Sequence, residues 1–227
     1  MRKVLIRLVV PAVVLFSLGL TEAPNAFAAS TQCTGLLTGA VTGRVVVPSG
    51  EFCDIRGATV TGNVIVLPDA SLRVDDSTIM GKIMGFRPDS ILIFGSGEEP
   101  TTVGGPVVVS GANDAVVICG RVEISGNVVI RRGVEGGGVV IGPGFAGGEQ
   151  AACLNRAMAS ITGPVVLWKN ASRISVNDTS FGGDLSAVGN TGGGQIDDNV
   201  ITGDLVCANN VPPLTAEVEV RNVAGFH

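Results

Sequence analysis

A short motif that ends in glycine recurs along this chain at nearly constant intervals. Each copy has a β-branched or aromatic residue two positions before the glycine, and successive glycines lie 19, 19, 24, 21, 37, 20 and 20 residues apart. A fixed period of this length is the sequence signature of a repeat architecture. The copies are Val41–Gly43, Val60–Gly62, Ile79–Gly81, Val103–Gly105, Ile124–Gly126, Ile161–Gly163, Phe181–Gly183 and Ile201–Gly203.

The residues between the glycines indicate short strands separated by tight corners. An apolar strand such as Val64–Val66 follows the motif, a polar corner such as Pro68–Ala70 comes next, and an alternating strand such as Ser71–Val74 follows it. No stretch shows sustained helical periodicity. We therefore predict an all-β, single-domain parallel β-helix, or β-solenoid, with about 19–21 residues per coil. Adjacent strands would lie about 4.8 Å apart, and corner glycines would supply positive φ angles.

The cysteines provide an independent check on this period. Cys33 and Cys53 are 20 residues apart, so they would stack in neighbouring coils at a Cα separation that suits a disulfide. Cys119 and Cys153 bracket the least regular stretch and form a second plausible pair, which leaves Cys207 over. A β-sandwich with turns every eight to twelve residues is the alternative fold, but it leaves the longer interval unexplained.

The N-terminal residues have the features of a cleaved secretory signal. Basic residues precede the apolar run Leu8–Leu20, and the A-x-A signature Ala26–Ala28 follows it. The alternative is a membrane anchor, but the run is shorter than the roughly 20 apolar residues that a span requires. The prediction is a signal peptide over 1–28 and a β-helix domain over 29–227, with an inserted loop at 133–159.

The charge of the predicted mature chain argues against some partners. Removal of the signal would leave 12 basic against 19 acidic residues, with no basic run. We therefore expect no nucleic-acid partner, no attraction to anionic lipid surfaces and no membrane span after cleavage. Localisation is expected to be extracellular, either secreted or at the cell envelope.

The coil pattern resembles that of secreted parallel β-helix proteins of the pectate-lyase-like architecture, and this resemblance implies a right-handed coil. The pattern V-T-G-N-V-x-V and the closing segment Gly203–Pro213 are also similar to a group of uncharacterised exported bacterial proteins. In that group a further cysteine is expected near the C terminus. This chain ends Ala224–His227 without one, so Cys207 has no expected partner.

Several kinds of catalytic chemistry lack the residues that they need. The chain has one histidine, His227, at its C terminus, and no tyrosine. A histidine triad or histidine-rich metal site is therefore not expected. Related hydrolases carry a Gly-His-Gly motif, which is missing here.

Acidic residues are the remaining catalytic candidates. The repeat places Asp178 over Asp198, with Asp197 beside them in the later coil. Calcium-dependent lyases of the resembled architecture combine acidic ligands with an Arg or Lys base, which would make these three residues the Ca²⁺ ligands and Arg173 the base. The alternatives are a purely structural Ca²⁺ site and turn residues whose side chains bond their own backbone. We expect no other cofactor.

Sugar binding would favour exposed aromatic rings, and Trp168 with its neighbour Lys169 is the candidate. The alternative is that Trp168 packs in the core or at a corner. The prediction is a non-enzymatic structural or surface-binding solenoid at the cell envelope, with polysaccharide or an envelope component as its partner. The alternatives are a polysaccharide lyase or glycoside hydrolase that uses Asp178 and Asp198, and a scaffold that self-assembles end to end.

Overall fold

The computed structural model describes residues 30–143, 153 and 158–215, which form a parallel β-solenoid of about eight turns. Its strands form three parallel ladders, and each regular coil contributes one strand to each of them. The predicted all-β solenoid is confirmed. The predicted signal peptide, residues 1–28, lies outside the described residues.

The three ladders follow each other in every coil, and the recurrent glycine motif overlaps the strand of the third. Two long strands, β2 (Leu36–Val41) and β4 (Phe52–Val60), run across ladders two and three. Ladder one contains β1 (Ser30–Gln32), β3 (Arg44–Val47), β5 (Val64–Val66), β8 (Ile83–Phe86), β11 (Val107–Ser110), β14 (Val128–Arg131), β17 (Val165–Trp168), β20 (Leu185–Val188) and β23 (Leu205–Ala208). Ladder two also contains β6 (Ser71–Asp75), β9 (Ser90–Gly95), β12 (Val116–Gly120), β15 (Gly138–Ile141), β18 (Arg173–Asn177) and β21 (Gly194–Asp197). Ladder three also contains β7 (Thr78–Ile79), β10 (Thr101–Val103), β13 (Val122–Ile124), β16 (Ala159–Ile161), β19 (Thr179–Phe181) and β22 (Val200–Ile201).

The core is a set of apolar columns that run along the solenoid axis. In ladder one, residues in register from coil to coil point inward and are buried: Val45, Val64, Ile83, Val107, Val128, Val165, Leu185 and Leu205. Each buried side chain of this size contributes about 1.5–3 kcal/mol of transfer free energy. Because each contacts chiefly the coils above and below, the stability of one coil depends on its neighbours.

Both predicted disulfides are present. Cys33 and Cys53 join the first two coils, with a Cα–Cα distance of 5.4 Å, as the repeat period predicts. Cys119 of β12 is bonded to Cys153 of the inserted segment, and its Cα–Cα distance is also 5.4 Å.

Glycines at the corners have the predicted positive φ angles, for example 75° at Gly50 and 72° at Gly111. The glycines of the repeated motif serve a different purpose, because after Gly43 (φ 91°) none of them has a positive φ angle. A Cβ added to Gly62 would lie 2.3 Å from the carbonyl oxygen of Gly43 in the preceding coil, and one added to Gly81 would lie 2.5 Å from that of Gly62. Close backbone stacking excludes a side chain there.

The inserted stretch belongs to a single coil and adds a second small core outside the solenoid. Gly138–Ile141, within the predicted loop 133–159, forms β15 and pairs with β12 and β18. Residues 144–152 and 154–157 lie outside the described residues. Cys153 packs on the outer side of ladder two, in a cluster with Leu92, Phe94, Val117, Cys119 and Val140. Ladder-two strands are consequently apolar on both sides at this level, as is typical of parallel sheets that are covered on both faces.

A column of asparagines closes the corner after ladder one in the later coils. Asn170, Asn190 and Asn210 are spaced 20 residues apart, and the first two are fully buried. The Asn190 Oδ1 accepts hydrogen bonds from the backbone N–H and Nδ2 of Asn170 at 2.9 and 3.1 Å. The Asn210 Oδ1 accepts the same pair from Asn190 at 3.0 and 2.9 Å. This ladder satisfies polar groups that would otherwise be buried without a partner.

Candidate functional site

The predicted acidic residues occupy a backbone corner between ladders two and three. Asp178 and Asp198 have φ angles of 43° and 53°, and the equivalent corner residue of an earlier coil, Asp76, has one of 46°. Glycines with positive φ take this corner in other coils, as at Gly57 and Gly120. Asp, Asn and Gly are the residues that tolerate this conformation best. The corner by itself therefore explains why acids stand here.

The structure does not gather these residues into a metal centre. Asn177 pairs with Asp197 in register, and the Asp178 N–H donates to the Asp197 carbonyl at 3.3 Å. Throughout the described part of the chain, no group of three or more His, Cys, Asp or Glu side chains could hold a metal ion. Asp178, Asp197 and Asp198 therefore do not form the predicted Ca²⁺ cluster there.

Arg173 and Asp178 stand at opposite ends of one strand. Arg173 is the first residue of β18 and is exposed, whereas Asp178 follows the last residue of that strand. Five residues of extended chain separate their Cα atoms by about 16 Å. The role of Arg173 as a base beside Asp178 and Asp198 stays a prediction.

Trp168 lies on the outer side of ladder one and does not enter the core. Val165 and Leu167 of β17 are buried, while the alternate residues, Val166 and Trp168, are half-buried and point outward. Two cations contact the indole ring: the Lys169 Nζ lies 4.6 Å from its centroid and the Arg132 Cζ 5.3 Å from it. Lys169 itself is exposed and has a φ of 52°. The ring is thus accessible on the surface, but cations already occupy space over it.

Ladder three carries an array of hydroxyl groups that the sequence analysis did not single out. Five of the eight residues in its outward column bear a hydroxyl: Thr59, Thr78, Thr102, Ser160 and Ser180, with Ala40, Glu123 and Val200 in the other three places. Exposed hydroxyls also follow the strands, two residues further along, at Thr42, Thr61, Ser125, Thr162 and Thr202. We call these ten hydroxyl residues the hydroxyl face. Its sequence signal is a Ser or Thr on either side of the apolar residue of the glycine motif.

Cys207 is a free, exposed cysteine on β23, the last described strand of ladder one. It is in register with the inward residue Ala187. Partial burial of the thiol raises the pKa of Cys207 above its ordinary value. This reduces the thiolate fraction at neutral pH, which is unfavourable for a nucleophile.

Comparisons with known proteins leave the fold and the geometry as the basis for assigning a function. No protein-family model matches the chain. No curated protein and no solved structure is significantly similar to it. In the described part of the chain, no helix has the length and hydrophobicity that a membrane crossing demands.

Proposed function

We propose that this protein is an exported, non-enzymatic solenoid of the cell envelope that binds an extended, repetitive partner, and that the partner is a polysaccharide. The observation that carries the proposal is the hydroxyl face of ladder three. Its groups repeat once per coil, at about 4.8 Å, a distance comparable to the length of one sugar residue in an extended glycan. A linear polymer along the solenoid axis would therefore meet equivalent groups in successive coils.

The chemistry of the face suits sugars better than charged or apolar partners. Each hydroxyl both donates and accepts a hydrogen bond, as the hydroxyls of a sugar do. The outer column has one charged residue, Glu123, and two exposed apolar residues, Ala40 and Val200. A single neutral hydrogen bond contributes only about 0.5–1.5 kcal/mol. Useful affinity would consequently come from several coils that engage one long polymer together.

The cellular location is part of the proposal. The two disulfides are compatible with an extracellular protein, because such bonds persist in oxidising compartments. The predicted signal peptide over 1–28 points the same way. The resembled pectate-lyase-like proteins act on polysaccharides outside the cell, which supports this class of partner.

The test is co-sedimentation of the mature chain with a panel of insoluble polysaccharides and envelope fractions, with and without Ca²⁺, and with an assay for released oligosaccharide. We expect retention without release. The informative variant is the double substitution Thr78→Val and Thr102→Val. Their hydroxyls lie 3.2 Å apart in neighbouring coils, and Val keeps the β-branched shape that strands favour. Loss of two hydrogen bonds should weaken retention about tenfold.

The matched control removes two hydroxyls from a different outward face, through Ser110→Ala and Ser186→Ala on ladder one, and should leave retention unchanged. A wild-type chain that no polysaccharide retains would refute the proposal. If the threonine variant is retained as well as wild type, and Trp168→Ala or Lys169→Ala is retained less, the binding surface lies on ladder one. Ca²⁺-dependent release that disappears in Asp198→Ala would replace the binding role by the lyase alternative.

A further inference from the structure

The outer side of ladder one carries a continuous apolar stripe along the solenoid. The central outward residue of each strand is apolar in seven of eight successive coils: Val46, Ile65, Met84, Val108, Val129, Val166 and Val206, with Ser186 as the exception. The next outward column contains the apolar residues Leu67, Phe86, Trp168 and Val188, together with Ser110 and the exposed Arg131. Among the described residues nothing covers this stripe, which we call the apolar face.

Ladder two has a similar row of outward apolar residues, and there the row is buried. Leu92, Val117 and Val140 are also apolar residues on the outer side of their strands, but they pack in a cluster with Cys153 and are exposed to 7% or less. Runs of consecutive apolar residues are typical of parallel strands with both faces covered. In ladder one, six of the seven apolar stripe residues are half-buried and Val206 is exposed. A contiguous apolar patch on the surface marks an interaction site. The strands of ladder one thus have the composition of a covered sheet.

Charged residues beside the stripe are distributed unevenly along the axis. The residue directly before the first inward residue of each strand belongs to a further outward column. This column is basic near the N-terminal end, with Arg44 and Lys82, and acidic near the C-terminal end, with Asp184 and Asp204. Arg44, Asp184 and Asp204 are exposed. A face of this kind is complementary to a copy of itself that has been turned end for end.

We propose that two copies of this chain pack their apolar faces together as an antiparallel dimer, with the two-fold axis along the strand direction and between β11 and β14. This operation sets each outward column against the same column of the other copy, in reverse order. Val108 then faces Val129 at the centre, Phe86 faces Trp168, and Arg44 faces Asp204. The proposal concerns a face other than the hydroxyl face and does not depend on polysaccharide binding.

The alternative symmetric arrangement is less favourable. A two-fold axis along the solenoid would keep the two axes parallel and would set the charged column against the column of Leu67, Phe86 and Val188. Charges would then face apolar side chains, at a cost in desolvation. Antiparallel packing instead pairs Arg44 with Asp204 at the rim and Val108 with Val129 at the centre. It also sets the exposed Arg131 opposite Ser110 beside that centre, and arginine is enriched in ordinary interfaces.

The size of the face is sufficient for a modest but specific dimer. The eight strands of ladder one that this axis pairs, from β3 to β23, at about 4.8 Å each, give a length of about 38 Å, and four residues per strand give a width of about 13 Å. The footprint is then about 500 Å² on each copy, close to the roughly 1,000 Å² in total that a biological interface needs. Two such sheets would pack about 10 Å apart.

The experiment is sedimentation equilibrium of the mature chain with three variants at the proposed contacts. Wild type should dimerise, and Val108→Lys should raise the dissociation constant by about 100-fold, because two ammonium groups would enter an apolar interface. Arg44→Asp and Asp204→Arg should each raise it by about tenfold. The double variant R44D/D204R should restore the wild-type constant. In one copy these residues are seven coils, or about 34 Å, apart, so only contact between copies couples them.

Each result decides for or against the arrangement. Circular dichroism should show the same fold in every variant, because all three side chains point outward. A wild-type chain that stays monomeric at about 200 μM would overturn the proposal, since the face would then be open or covered by the same chain. A dimer that survives Val108→Lys would place the interface elsewhere. Failure of the double variant to recover would overturn the antiparallel arrangement.

Discussion

At the scale of single residues, two kinds of backbone position explain most of the unusual composition. At corners the chain needs a positive φ angle, and Asp76, Asp178 and Asp198 share this role with glycines in other coils. At the motif glycines after Gly43 the φ angle is ordinary, but the preceding coil comes too close for a side chain. Acids and glycines that look like a possible site are therefore accounted for by conformation and by close packing.

The motif glycines give the sharpest prediction at this scale. Gly62→Ala should lower the free energy of unfolding by about 2–3 kcal/mol, because overpacking a close contact forces the backbone to shift. The added Cβ would lie 2.3 Å from the Gly43 oxygen and 2.9 Å from the Arg44 nitrogen. The control is Gly35→Ala, where nothing lies within 4 Å and φ is not positive. Thermal melts of both variants check this, and equal melting temperatures would contradict the close-stacking account.

At the scale of elements, the ladders show how far the sequence determines the structure. The glycine spacing and the Cys33–Cys53 interval predict the coil length and the first disulfide, because both depend only on the period. The alternating strand around Arg173 was also evident, whereas the contacts of its end residues were not, since these depend on the neighbouring coils. The Asn170, Asn190 and Asn210 period was visible in the sequence, but an asparagine spaced by one coil does not reveal that its amide is buried.

The buried outer side of ladder two shows a second feature that the sequence does not fully predict. The apolar runs in β9, β12 and β15 indicate strands with two buried faces, yet Cys153, which packs on their outer side, belongs to an inserted sequence that lacks the repeat. Ladder one has similar runs in β5, β11 and β14. Composition alone cannot distinguish a strand that is covered by its own chain from a strand that is covered only by a second copy of the protein. That distinction requires the positions of all the strands.

The asparagine ladder carries the prediction for this scale. Asn190→Ala removes the Oδ1 that accepts two hydrogen bonds from Asn170. It also removes the Nδ2 that donates to the Leu167 carbonyl oxygen and to the Asn210 Oδ1. Because Asn190 is fully buried, the orphaned groups should lower the free energy of unfolding by about 3 kcal/mol. Asn63→Ala is the control, since the half-buried Asn63 accepts one bond, from the Lys82 N–H at 3.1 Å, and should cost about 1 kcal/mol. Denaturant titrations measure both variants, and an equal loss of unfolding free energy in Asn190→Ala and Asn63→Ala would contradict the prediction.

At the scale of the whole molecule, the solenoid behaves as a one-dimensional stack. Each ladder strand pairs with the strand before it and the strand after it, and the core columns continue without interruption from coil to coil. Stability should therefore be close to a sum of coil terms and of terms for neighbouring coils. A whole coil is then the natural unit of insertion and deletion, whereas a fraction of a coil is not, because it would shift every later inward residue out of its column.

This view predicts that one coil can be removed from the chain. Deletion of residues 184–203 joins Gly183 to Asp204. Because Gly183 is equivalent to Gly203, every residue after the junction stays in the inward or outward column that it occupied before. Strand β23 would then pair with β17, and Asn210 would replace Asn190 as the acceptor for Asn170 and the donor to the Leu167 carbonyl. The chain should fold with an unchanged β-type circular dichroism spectrum and a melting temperature lower by a few degrees. The matched control deletes only residues 184–193, which breaks the register, and should yield an unfolded or aggregated C-terminal part. If both deletions fold equally well, or neither folds, the coils are not the independent units that the ladder pairing implies.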